Sequence, residues 1–172
     1  MANTFTLISS VTVGSGGAAN IEFTSIPATY TDLLLKYSLR TERTDDPGDE
    51  IFITFNNSGS SYSGKYLRGY GTGVDTFTLN SSYLNKNWAS TNNATTSTFS
   101  NQELYIPNYA SSNNKSVSID SVSENNGSAA SAVLVAGLWS NSAAITSIKL
   151  VPEVGPNLVQ YSTAYLYGIS NA

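Results

Sequence analysis

The feature that most constrains this chain is the spacing of its apolar residues, which recur at every second position in segment after segment. Across 32–42, Leu33, Leu35, Tyr37 and Leu39 fall on one side and Lys36, Ser38 and Arg40 on the other, with Leu34 the exception. "EIFITFNN" groups Ile51, Ile53 and Phe55, "KSVSIDSV" alternates Val117 and Ile119 with serines, and "TAYLYGI" puts Tyr165, Tyr167 and Ile169 on one face. Successive side chains of a strand point to opposite faces, so such alternation predicts half-buried strands of an antiparallel sheet. Helix signals are poor throughout. "SAASAVLVAGLW" (128–139) is rich in alanine, but its Val-Leu-Val centre and the glycine two places before Trp139 predict a buried strand.

Turn chemistry separates these runs. "GSGGAAN" (14–20) lies between "FTLISSVTV" and "IEFTSI" and reads as a hairpin loop; "DDPGDE" (45–50), "NNSGSS" (56–61) and "NNGS" (125–128) read as further loops. Pro27, Pro107 and Pro152 are expected at strand ends, where a missing N–H is harmless. Eight to ten strands at short intervals, in a chain long enough for one core, predict a single all-β domain over 1–172, a sandwich or barrel. No internal repeat marks a propeller or solenoid.

The surface must be built from neutral polar groups. Charged residues are 12% of the chain, about half the usual ~25%, whereas Ser, Thr and Asn number 27, 18 and 18 of 172 residues. Such a surface repels neighbours weakly and favours packing against other proteins. A net charge of −4, with eight scattered Lys and Arg, argues against a nucleic-acid partner. With no cysteine there are no disulfides or thiolate metal sites, and with no histidine the usual general base and the Ser–His–Asp triad are excluded. "MANTFTLISS" shows no signal peptide and no apolar run approaches a membrane span, so a soluble protein made in a cytoplasm is expected.

Two places remain for chemistry. "TDDPGDE" (44–50) carries four carboxylates in six residues, but it departs from the calcium-loop pattern and is read first as a solvated turn whose charges pair with Arg40 and Arg43. Twelve acids offer many pairs for a glycosidase, and no spacing selects one; neither an enzyme nor a cofactor is expected. "YSGKYLRGY" places Tyr62, Tyr66 and Tyr70 on one face of an extended strand beside Lys65 and Arg68. These rings suit cover for one end of the sandwich, then a protein interface, then a glycan. Arg40, Arg43, Tyr62, Tyr66, Arg68 and Tyr70 are the candidate interface or glycan-contact residues. Trp88 and Trp139 are expected in the core.

The run 10–41, "SVTVGSGGAANIEFTSIPATYTDLLLKYSLRT", resembles the N-terminal half of a family of small virion proteins of tailed bacteriophages, especially phages of marine bacteria and cyanobacteria. The match lies at Ile21, Phe23, Ile26, Pro27, Thr29, Tyr30, Thr31, Asp32 and Leu33, then at Phe55, Asn56 and Tyr62. A turn from Ile106 to Tyr109 and a closing Tyr167-Gly168-Ile169 extend it over most of the chain. Read physically, Pro27 biases Ile26 toward extended backbone, and Asp32 is placed to accept local backbone hydrogen bonds as the strand begins. The resemblance implies a jelly-roll β-sandwich with no catalytic motif. It implies a capsid decoration (cement) protein of the virion, bound to the major capsid protein and trimeric, or alternatively a tail-fibre or spike domain that recognises a host-surface glycan. With neither heptads nor an extended N-terminal region visible, decoration is the first expectation.

Overall fold

The computed structural model describes residues 4–126 and 130–170. The period-two segments become strands whose buried side is the one the pattern names. Leu33, Leu35, Tyr37 and Leu39 face the core, as do Ile51, Ile53 and Phe55, and Val117 and Ile119. The chain runs β1 (Phe5–Thr12), β2 (Ile21–Phe23), β3 (Asp32–Ser38), β4 (Arg40–Thr41), β5 (Gly48–Phe55), β6 (Tyr62–Tyr70) and β7 (Gly73–Ser81). It continues through β8 (Trp88–Thr91), β9 (Asn101–Ile106), β10 (Lys115–Ser123), β11 (Ser131–Trp139), β12 (Ile148–Pro152) and β13 (Thr163–Ile169). These are thirteen strands against the eight to ten expected. The excess comes from β4 and β8, which are too short to show a period, and from β7, whose apolar residues do not alternate cleanly.

The strands form an all-β antiparallel sandwich. One sheet has eight strands in the order β1-β13-β3-β9-β10-β11-β6-β7, and the other five in the order β2-β12-β5-β8-β4. Among the described residues every pairing between these strands is antiparallel except the short β4–β8 pair. With β4 and the two hairpins β6–β7 and β10–β11 set aside, eight strands remain. Numbered by rank along the chain, they lie as 1-8-3-6 in one sheet and 2-7-4-5 in the other. The two hairpins extend the larger sheet beyond this double layer, β10 pairing with β9 and β11 with β6.

Several local expectations are corrected. Residues 14–20 do not close a hairpin: β1 pairs with β13 at the edge of the large sheet and β2 with β12 at the edge of the small one. The glycines instead carry the chain between layers, roughly 10 Å apart, anchored where Ala18 and Leu158 exchange backbone bonds of 3.0 and 2.7 Å. The acidic turn is shorter than read, because Gly48 already belongs to β5. A Cβ there would lie 2.2 Å from the Trp88 ring, so only glycine fits. Trp139 is buried as expected, but Trp88 is only half-buried. In β13, Tyr165, Tyr167 and Ile169 do share a face, but it is the outer one; Ala164, Leu166 and Gly168 face the core. Asn126 adopts a left-handed φ of 55°, and the rest of the 125–128 loop falls partly outside the described residues.

Three of the four segments on which the resemblance rests, 21–33, 106–109 and 167–169, meet in space. Asp32 does not serve its own neighbourhood: its carboxylate accepts the Asn108 backbone N–H and the Tyr105 hydroxyl, both at 2.8 Å. That bond to Asp32 raises the Tyr105 pKa, with burial adding to the effect. The Tyr109 hydroxyl donates to the Pro27 carbonyl and accepts the Tyr30 N–H at 3.4 Å. Thr31 N–H donates to the Ile169 carbonyl at 2.8 Å, and the Tyr30 ring lies over Gly168, where a Cβ would sit 2.3 Å from Cγ. This corner clasps β3, the β9–β10 link and β13. Gly168→Ala is expected to cost about 2 kcal/mol, the usual cost of overpacking, measured by urea unfolding. Adding Tyr30→Ala should cost less than the two single changes summed, because the clash is then gone. Full additivity would show that the Tyr30 ring is not what excludes a side chain there.

Candidate functional site on the outer sheet face

The appended hairpins are built from turn chemistry and paired side chains. Gly71, at φ +55°, occupies the first central position of the two-residue β6–β7 loop, where a type II′ turn wants glycine. Residues opposite one another in an antiparallel pair share a face. On the outer face Leu67 therefore lies across from Leu134, Gly69 from Ala132, and Ala132 in turn from Val122. Beyond them, Val74 pairs with Gly69 and Thr76 with Leu67. Leu67 and Leu134 remain 49% and 53% exposed, although they sit in the middle of the sheet extension.

This face is hollowed. A depression of about 710 Å³ is lined chiefly by Leu67, Thr76, Tyr105, Pro107, Leu134 and Ala136. A second, of about 310 Å³, shares Leu67 and Leu134 and adds Val74, Val122 and Ala132. Charges at the margin are few: Lys36 pairs with Glu103 at 2.6 Å and Lys65 Nζ donates to the Thr78 hydroxyl at 3.2 Å, while Asp120, opposite Leu134 in the wall of the second hollow, makes no ion pair among the described residues. Such a floor offers contact area and little chemistry. The sequence carried a signal for it in β11. "AVLVAGL" is apolar in both phases, with Val133 and Val135 turned inward and Ala132, Leu134 and Ala136 outward. A strand apolar on both sides belongs to a sheet covered on both sides.

The residues singled out from the sequence fall in separate places. Arg40 is buried, and its guanidinium holds the 92–98 loop. Arg43 holds the acidic turn, with Nε 2.7 Å from Asp45 and Nη1 donating to the Gly48 carbonyl at 3.0 Å. Its hydrogen bond to Asp45 raises the Arg43 pKa and lowers that of Asp45. Tyr62, Tyr66 and Tyr70 share one face of β6, as expected, and that face turns inward. Tyr62 is buried and its hydroxyl accepts the Phe55 N–H at 2.8 Å; burial pushes its pKa up to about 12. Tyr66 stacks on Phe77 with centroids 5.0 Å apart, and its pKa is likewise pushed up to about 12, chiefly by burial. Arg68 pairs with Asp75 at 2.5 Å while its guanidinium lies 4.9 Å from the Tyr70 ring and 4.7 Å from Trp88.

The carboxylates of the acidic turn diverge. Asp45 and Asp46 turn to Arg43. Asp49 accepts the N–H groups of Val154 and Gly155 at 3.2 and 2.9 Å, and Glu50 takes Asn85 and Lys86. Among the described residues, no group of three or more acids is arranged to hold a metal ion. Compared with protein-family models, curated proteins and solved structures, the chain matches none.

Proposed function

We propose that this chain is a non-enzymatic structural protein of a tailed-bacteriophage particle, a jelly-roll decoration protein that seats the hollow outer face of its large sheet on the capsid surface. The observation that carries the reading is the apolar floor formed by Leu67, Leu134, Ala132 and Val122, on a sheet face that no other part of the described chain covers. The rank order 1-8-3-6 and 2-7-4-5 supports the jelly-roll connectivity, because it places strands as two interlocked Greek keys do. That fold also occurs in lectins, so it supports the architecture and leaves function to the surface. Lys36, Glu103 and Lys65 are engaged within the chain, which leaves Asp120 as the charge open on this face and suits contact with protein chiefly by shape and apolar area. The receptor-binding alternative needs an exposed aromatic platform, and the inward turn of Tyr62 and Tyr66 weighs against one on β6.

A decoration protein stabilises the shell because it binds the assembled state. Hundreds of copies per purified particle are expected, against three to about eighteen for a tail component. Leu134→Glu should abolish binding to undecorated particles while leaving the unfolding midpoint within about 0.5 kcal/mol of wild type, as expected for an exposed site. Particles without the protein that withstand heat and osmotic shock as well as intact ones, but fail to adsorb, would sink the decoration reading.

A further inference from the structure

The edges of the two sheets are not treated alike. β2 and β4 are three and two residues long, and β1 carries a register slip between Leu7 and Ser9. Short strands and bulges are how sheet edges are kept from pairing with other chains. The fourth edge, β7, has none of these guards. It runs nine residues, "GVDTFTLNS", with no Lys, no Pro and an unbroken register against β6. Its single charge, Asp75, is already neutralised by Arg68. Val74 and Phe77 are 75% and 50% exposed.

The backbone groups left open can be assigned. Tyr70 and Gly73 close the two-residue loop, so theirs is a hydrogen-bonded pair, and such pairs alternate along the ladder. Asp75, Phe77 and Leu79 consequently direct their N–H and C=O groups toward β6. Val74, Thr76, Thr78 and Asn80 direct theirs outward. These four positions are symmetric about Phe77, which is also the middle of the strand.

We propose that β7 pairs antiparallel with β7 of a second copy of this chain, about a twofold axis at Phe77, joining the two eight-stranded sheets into one. In this register Thr76 faces Thr78 of the second copy and Val74 faces Asn80, so each outward N–H meets an outward carbonyl. Phe77 meets its own equivalent at the close, non-hydrogen-bonded centre, and the Tyr66 rings stacked on both extend the contact to four aromatics. Asp75 faces Leu79 of the second copy, so no like charges are opposed. Val74 and Thr76 line the hollows of the outer face, so pairing also makes those hollows continuous across the seam. An isologous pairing of this kind is self-complementary and closes. It goes beyond the particle-binding proposal and does not rest on it.

The test is the mass of the purified full chain by sedimentation equilibrium between 1 and 100 μM. The wild type is expected at twice 18.3 kDa. Thr78→Pro removes an N–H that β6 does not use, so the fold is retained and the dimer is expected to weaken at least 100-fold. Val74→Lys, on the outer face of the same edge, is expected to weaken it at least 10-fold with an unchanged circular dichroism spectrum. A wild-type monomer at 100 μM, a trimer, or a dimer indifferent to both substitutions overturns the proposal. Failure of capsid binding with the dimer intact would instead strike the function proposed for the outer face.

Discussion

Arg40→Ala is expected to lower the free energy of unfolding by about 4 kcal/mol and the thermal midpoint by about 12 °C, at 2–4 °C per kcal/mol for a domain of this size. The side chain is 6% exposed. Its Nε donates to Asn92 Oδ1 at 3.2 Å, Nη1 to the carbonyls of Thr95 and Thr98 at 2.9 Å, and Nη2 to the Ala94 carbonyl at 3.2 Å. Burial lowers its pKa, but a guanidinium stays protonated in proteins. One cation thus supplies the donors that a stretch between β8 and β9 would otherwise find in a sheet ladder. Hydrogen bonds to a charged group are worth about 1.5–3 kcal/mol each and do not add fully, which sets the figure near 4. Arg40→Lys should recover less than half of the loss, because an ammonium cannot reproduce the planar fork. Urea unfolding of the three proteins checks this. A loss under 1 kcal/mol for the alanine variant would mean that the 92–98 loop holds itself together without the guanidinium.

Arg40 also shows what the sequence could and could not disclose. Its place on the polar side of an alternating run made it look like a surface cation near Arg43. Whether a loop 52 or more residues away folds over that position is a tertiary fact with no local signature. The same limit applies to Asp32. A turn-forming residue before a strand reads as a local acceptor, and its partners proved to be Tyr105 and Asn108. By contrast, the core faces of β3, β5 and β10 were legible because burial of one strand face imposes a period that neighbours must respect. β7 was hidden for the opposite reason: as an edge beyond the double layer it has no face to bury fully, so it carries no period. The outer hollow lay between these cases. β11 announced it by being apolar in both phases, but that pattern also fits a strand buried in the middle of a fold. Only the sheet order places its outward side at the surface.

Trp139→Ala is expected to cost about 4 kcal/mol, within the 3–5 kcal/mol typical of deleting a buried large aromatic. Trp139→Phe is expected to cost about 1 kcal/mol or less. The ring ends β11 between Lys115 of β10 and Tyr62 of β6. It lies edge-on to Phe55 at 5.7 Å and stacks on Tyr62 at 6.1 Å and 17°, while Phe55 and Tyr62 are themselves 6.0 Å apart. Phe55 belongs to the five-stranded sheet, so this three-ring cluster fastens the appended hairpins to the sandwich. The buried indole Nε1–H has no acceptor among the described residues. An unsatisfied buried donor costs about 1–3 kcal/mol, so phenylalanine removes a liability along with some volume, and the two effects oppose each other. Alanine removes the volume outright and leaves Phe55 and Tyr62 facing a void. Because the void lies where the extension joins the core, the alanine variant should also lose near-ultraviolet circular dichroism and expose the β6 and β11 amides to faster hydrogen exchange, with β3 and β13 less affected. Uniform loosening of all strands would show that the cluster serves the core as a whole and does not fasten the hairpins in particular.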